Sequence, residues 1–148
     1  MLIMSFNCVN GDTSAVPMYC GASSGLTKGS LLCYDVSTGA AVSPVIDATA
    51  SLLAENVAGV AANTPATADT HINVIPIRGQ LWEYDCTSNT ATAQLGKVND
   101  LTDADTVANS TTISTANTGF VRNLKIVGAA ANKKMQGFIL GGQDAVAN

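Results

Sequence analysis

The residues best equipped for chemistry in this chain are one histidine, four cysteines and two groups of closely spaced acids. His71 follows Asp69 by two residues, which is the beginning of a nucleophile–histidine–acid relay. No serine sits in a G-x-S-x-G or comparable setting that would bring its Oγ to the ring. Cys8, Cys20, Cys33 and Cys86 follow irregular spacings with no C-x-x-C, so a zinc tetrahedron would need ligands from four unrelated places. They read as free thiols acting as small apolar groups, with Cys8 and Cys20 close enough in sequence to bridge within one segment. Asp100, Asp103 and Asp105 have the density of a calcium loop. They lack the turn glycine and terminal glutamate of an EF-hand at the required offsets, and read as a solvated turn. Glu83 and Asp85 stand at i and i+2 of an alternating run, which sets two carboxylates on one strand face about 7 Å apart. That is glycosidase range, yet alternation alone produces it. Gly21-x-x-x-Gly25 lacks the G-K-S/T ending of a phosphate loop. No catalytic, cofactor-binding or metal-ligating residue is expected, and no enzyme.

A chain of 148 residues suits one domain able to bury its own core. Only 12% of residues are charged, against roughly 25% in ordinary soluble domains. Seven Lys and Arg face eleven Asp and Glu, giving a net charge of −4. The pI is near 4.6 and the mean hydropathy +0.24. Such a balance does not suit a phosphate backbone, so nucleic acid is not an expected partner. The basic pair Lys133-Lys134 is too small for an anchoring patch. No run approaches the ~20 apolar residues of a membrane span, and no membrane partner is expected. The apolar start at Met1–Met4 is cut short by Asn7, Asn10, Gly11 and Asp12 and has no basic region before it. Cytoplasmic synthesis without a secretory leader is the expectation.

The elements expected to position these residues are strands. Residues 1–27 are rich in Gly, Ser, Asn and Thr with isolated apolar side chains, and read either as a disordered tail or as an extended N-terminal arm. Phe6, Met18 and Tyr19 are its candidate anchors, because disordered tails seldom carry such groups. Residues 28–148 form the β-rich domain. Leu31–Val36 and Ala40–Val42 flank Ser37-Thr38-Gly39 as a hairpin, with Pro44 marking the return as an edge. Asp47–Asn56 suggests one or two helical turns capped by Asp47. Val57–Ala62 reads as a buried strand of small side chains. Ile72–Ile77 and Leu81–Cys86 are strands joined at Arg78-Gly79-Gln80, where Gly79 lets the chain change sheet. Trp82, Tyr84 and Cys86 fall on one face. The stretch from Gly96 to Val107 reads as small loops. Phe120–Val127 and Met135–Leu140 form a closing hairpin, and Gly141–Asn148 a tail. Short strands between Gly, Asn and Thr turns predict an all-β fold, a small sandwich or barrel-like domain with an extended arm.

In this order the motifs resemble the head decoration (cement) proteins of tailed bacteriophages. The residues concerned are Lys28-Gly29, Tyr34-Asp35 with Thr38-Gly39, Ala58-Gly59-Val60-Ala61, Val74 to Gly79 with Gln80-Leu81-Trp82-Glu83, Leu95-Gly96-Lys97, Thr106-Val107-Ala108-Asn109, and Ile126-Val127-Gly128-Ala129. The resemblance spans roughly 28 to 140. It implies a structural protein of the virion, on the capsid outer surface, that bridges major capsid subunits and forms a homotrimer. Phe6, Met18 and Tyr19 then become candidate capsid contacts. The composition suits that role, since neutral faces do not dissociate at high salt and small side chains allow flat β-surfaces to approach closely. Two other classes share the composition. One is a virion fibre or surface adhesin binding host cells or glycans. The other is a ligand-binding or enzymatic barrel using the Glu83/Asp85 face.

Overall fold

A computed structural model of the chain describes residues 5–35, 37–43, 57–112 and 119–140. Among them eleven strands follow one another: β1 (Asn7–Asn10), β2 (Val16–Tyr19), β3 (Leu31–Tyr34), β4 (Ala41–Val42), β5 (Val57–Ala61), β6 (His71–Pro76), β7 (Leu81–Cys86), β8 (Val98–Asp103), β9 (Thr106–Thr112), β10 (Val121–Ile126) and β11 (Lys134–Ile139). The fold is all-β, as the turn-punctuated sequence predicts. Five strands close a barrel in the order β7–β11–β10–β8–β9, and the seam is a short parallel pairing of β9 with β7 through Asp85↔Thr106 and Cys86↔Val107. Closure leaves half of one edge of β7 open. β1 takes it, through Asn7↔Glu83 and Cys8↔Trp82. A second sheet of order β2–β6–β5–β3–β4 lies against the barrel.

Side-chain alternation explains how the layers meet. Trp82, Tyr84 and Cys86 point into the barrel core with Val98, Leu101, Val107, Phe120, Val121, Met135 and Ile139. Leu31, Cys33 and Val60 of the second sheet join that same cluster. Leu32, Ala58, Ile72 and Val74 point the other way, into a second cluster that Cys20 and Leu26 complete. The central strands β3 and β5 are thus buried on both faces, which accounts for their runs of small and apolar residues, while β2 and one face of β6 stay exposed. Residues 77–80 carry the chain from β6 in the second sheet to β7 in the barrel, as expected at Gly79. The β3–β4 hairpin is also as expected. The Asp35 carbonyl accepts from the Gly39 N–H at 2.6 Å, and Gly39 adopts φ +72° where a side chain would be strained. Pro44, the helical turns expected over Asp47–Asn56 and the tail from Gly141 lie outside the described residues.

Two readings of the chain change. The stretch expected as small loops holds β8 and the start of β9, which make up two of the barrel's five strands. Asn99, Thr106 and Asn109 are buried there among Val98, Leu101 and Val107, and β8 carries register shifts, so no regular apolar alternation shows in the sequence. Residues 5–27 run extended, and they do so along their own domain. The Phe6 N–H donates to the Gly29 carbonyl at 2.9 Å, β1 pairs with β7, and β2 pairs with β6. Phe6, a candidate capsid contact by sequence, is a core residue: it is 2% exposed, and its ring lies 5.6 Å from that of Tyr84. A single aromatic in a polar segment marks an anchor, but nothing in its neighbours tells whether the anchor point is another subunit or the chain's own barrel.

Phe6→Ala should therefore destabilise the isolated chain by about 3–5 kcal/mol, the usual cost of emptying a buried aromatic site. A chain beginning at Lys28 should fall further. Equilibrium urea unfolding of the three proteins checks this, and equal midpoints would show the segment to be energetically separate.

Candidate functional site

Three groupings of polar side chains could in principle act on a ligand. The first is inside the barrel. The Tyr84 hydroxyl donates to Asn123 Oδ1 at 2.8 Å, and Asn123 Nδ2 donates to Asn99 Oδ1 and to the Gln94 carbonyl. Asn109 extends the set, donating to the Ser88 carbonyl at 3.0 Å and to Gln94 Oε1 at 3.2 Å while accepting from the Ser88 N–H. Gly137 makes room for it, since a Cβ there would lie 2.0 Å from the Arg122 carbonyl and 2.5 Å from the Tyr84 hydroxyl. The network joins β7, β8, β9 and β10 to the short 3-10 turn at Thr92–Gln94. Its amides are satisfied by one another, so it specifies register and barrel closure and leaves no acceptor or donor turned toward a guest.

The second grouping is the Glu83/Asp85 pair. Antiparallel pairing of β7 with β11 sets Gln136 opposite Glu83 and Lys134 opposite Asp85. Gln136 Nε2 donates to Glu83 at 3.1 Å, and Lys134 Nζ lies 2.8 Å from Asp85 Oδ1. Asp85 is buried, at 3% exposure, where alternation alone suggests an open face. Each carboxylate is occupied across the strand pair, and the two do not converge on a cleft. A buried acid of this kind needs its cation, and Lys134 supplies it.

The third is the acidic turn between β8 and β9. The Asp105 N–H donates to Asp103 Oδ1 at 3.1 Å, and the Thr106 hydroxyl donates to Asp105 at 3.0 Å. Burial, together with the neighbouring Asp103 carboxyl, pushes the Asp105 acid up to about 6. Burial also works against the ionised form of Asp103, but hydrogen bonds from Asp105 and Thr106 outweigh it and hold that acid below its ordinary value. Burial raises Asp100. The Ala104 carbonyl within this turn accepts from the Leu31 N–H at 2.8 Å, so the turn ties the barrel to the second sheet. No group of three or more His, Cys, Asp and Glu side chains gathers around a possible metal position among the described residues.

The remaining candidates scatter. His71 lies on β6, its Nδ1 3.1 Å from the Thr70 hydroxyl and its ring edge-on to Tyr19. Asp69 accepts from the Ala66 N–H at 2.8 Å, closing its own turn. The four cysteines are free; Cys20, Cys33 and Cys86 are buried and Cys8 half-buried. Burial lifts Cys33 and Cys86 to about 12. Of the three residues expected to touch a shell, Met18 is half-buried against the second core cluster and Tyr19 is 51% exposed at the sheet edge. Sequence reasoning did not single out the other exposed apolar side chains, Val9, Val16, Tyr34, Leu95, Leu124 and Phe138. For Leu124 and Phe138 the signal was present, since each alternates with inward-facing Asn123 or Gly137.

Two outcomes follow for these groups. The Asp105 acid sits above its unfolded value near 3.8, so its stabilising contribution is complete below pH ~4 and is lost as pH rises through 6. Asp105→Asn should remove that loss and gain about 1 kcal/mol over the wild type at pH 7, the shift being discounted for the group's partial exposure. Urea melts at pH 4, 5.5 and 7 read the difference, and parallel pH profiles would contradict it. Folded protein treated with iodoacetamide at neutral pH should be alkylated at Cys8 first, with Cys33 and Cys86 labelled only on unfolding. Peptide mass mapping checks the order.

No protein-family model, curated protein or solved structure matches this chain.

Proposed function

We propose that this chain is a structural virion protein that binds the outer surface of a tailed-phage capsid and stabilises the shell by bridging major capsid subunits, acting as a homotrimer. The observation that carries the reading is its surface. Seven large apolar side chains stand 37–51% exposed among the described residues, on both the barrel and the second sheet, in a chain with only 12% charge. Scattered exposed apolar residues are ordinary on a protein surrounded by charge; set in a neutral β-surface they are adhesive. Burial of such faces contributes about 25 cal/mol per Å² and is insensitive to salt. Repetition over a shell adds avidity where each copy spans more than one subunit. The resemblance of its motif order to that of decoration proteins supports the same reading. The carboxylates that would support a barrel enzyme are instead engaged with Lys134 and Gln136.

Purified chain mixed with tailless capsids lacking it should co-sediment with them to saturation at both 0.1 M and 1 M NaCl, and should raise the temperature at which the shells rupture. The same chain should not deplete from solution over host cells. Binding to cells or glycans without binding to shells would replace this reading with the adhesin one.

A further inference from the structure

Charge is unevenly divided along the chain. Residues 119–140, the β10–β11 hairpin and its flanks, hold four of the seven Lys and Arg and none of the eleven Asp and Glu. The hairpin thus carries +4 while the rest of the chain carries −8. Lys134 is engaged with Asp85, and Arg122 donates to the Gly96 carbonyl at 3.0 Å. Lys125 and Lys133 are exposed, and Lys97 lies alongside, its carbonyl accepting from the Asn123 N–H. The same outward face presents Leu124 and Phe138, with Leu95 beside them, each 37–42% exposed. Arg122 and Phe138 are register partners, and with Ile77 and Leu140 they border a shallow depression. This is an apolar patch rimmed by cations.

Barrel order places its complement. In the circuit β7–β11–β10–β8–β9, the strand farthest from the β10–β11 pair is β9. The turn that opens β9 holds Asp103 and Asp105, with Asp100 on β8 leading into it, and no Lys or Arg occurs from Val98 to Gly119. One side of the barrel is therefore basic and apolar and the other acidic. A two-fold contact through the hairpin would set Lys125 against a like-charged face, which is repulsive. A head-to-tail contact sets opposite charges together, and repeated by rotation it closes a ring.

We infer that the outward face of the β10–β11 hairpin docks on the acidic β8–β9 side of a second copy of this chain, generating a closed head-to-tail ring. The apolar side chains supply adhesion and the charges supply orientation. This rests on the self-association contained in the proposed function, and names the faces that make it.

The test is sedimentation velocity of the full chain at micromolar concentration in 0.1 M NaCl, with melting curves confirming that each variant folds. The wild type should sediment as a closed oligomer, and Lys125→Glu and Asp103→Lys, at exposed positions on opposite faces, should each shift it to monomer. Their one-to-one mixture should associate again, because one intact face of each remains and the two reversed charges are once more opposite in sign. Leu124→Ser with Phe138→Ser should also dissociate the ring and serves as a charge-neutral control. A wild type that sediments only as monomer overturns the self-association reading itself. An oligomer that survives both hairpin variants overturns the assignment of faces alone, as does one that survives these variants while losing its binding to shells. A mixture that stays monomeric contradicts head-to-tail contact.

Discussion

The stretch from His71 to Cys86 belongs to both sheets, and the rest of the molecule depends on that crossing. It enters as β6 in the second sheet, bends at residues 77–80 and leaves as β7 in the barrel. Asn7–Tyr19 runs antiparallel beside it and makes the same transfer, with β1 on β7 and β2 on β6. The two bends are clamped by one buried amide. Gln80 Nε2 donates to the Asp12 and Pro76 carbonyls at 2.9 and 2.8 Å, and Gln80 Oε1 accepts from the Arg78 N–H at 2.7 Å. Arg78 reaches across to the Ser14 carbonyl and to Asp12. A buried side chain that satisfies three backbone groups is costly to remove, because its loss would open both bends at once. The ribbon thus makes a barrel and an open sheet into one packed body, with Leu31, Cys33 and Val60 completing the barrel's core from outside its wall.

This constraint also explains which parts of the fold could be read from the chain. β3, β5, β6, β7, β10 and β11 announce themselves because apolar side chains alternate or run together, and Gly39 and Gly79 mark where the chain must turn. β8 and β9 do not, since strands that bury Asn99 and Asn109 beside Val98, Leu101 and Val107 look like a loop until Asn123 and Gln94 are seen to meet those amides. β1 and β2 are equally silent. Four-residue strands with mostly exposed side chains have no periodicity to display, and their pairing is decided by the partner's vacant edge. Among the candidate site residues, the chain conveyed the i, i+2 spacing of Glu83 and Asp85 and hid the cross-strand Lys134 and Gln136 that occupy them. Register is a long-range property, and a local pattern cannot supply it.

The same physics bears on function. The polar groups of the barrel are used internally, in amide networks and cross-strand pairs, and this leaves the outer surface to small, neutral and intermittently apolar side chains. Such a surface is poorly suited to life as a dilute monomer and well suited to close, salt-insensitive contact with many copies of another protein. The polarity of the barrel adds direction. A cationic, apolar hairpin on one side and an acidic turn on the other suit copies arranged in sequence around an axis, since a head-to-tail contact repeated by rotation closes a ring.

The most direct measurement is a single-particle reconstruction of the virion assembled with and without this chain. The account predicts density on the capsid outer surface, across the seams between major capsid subunits, into which the β-barrel and its attached sheet fit as a ring of identical copies. Density confined to the tail or fibres, or shells with indistinguishable outer surfaces in the two preparations, would contradict it.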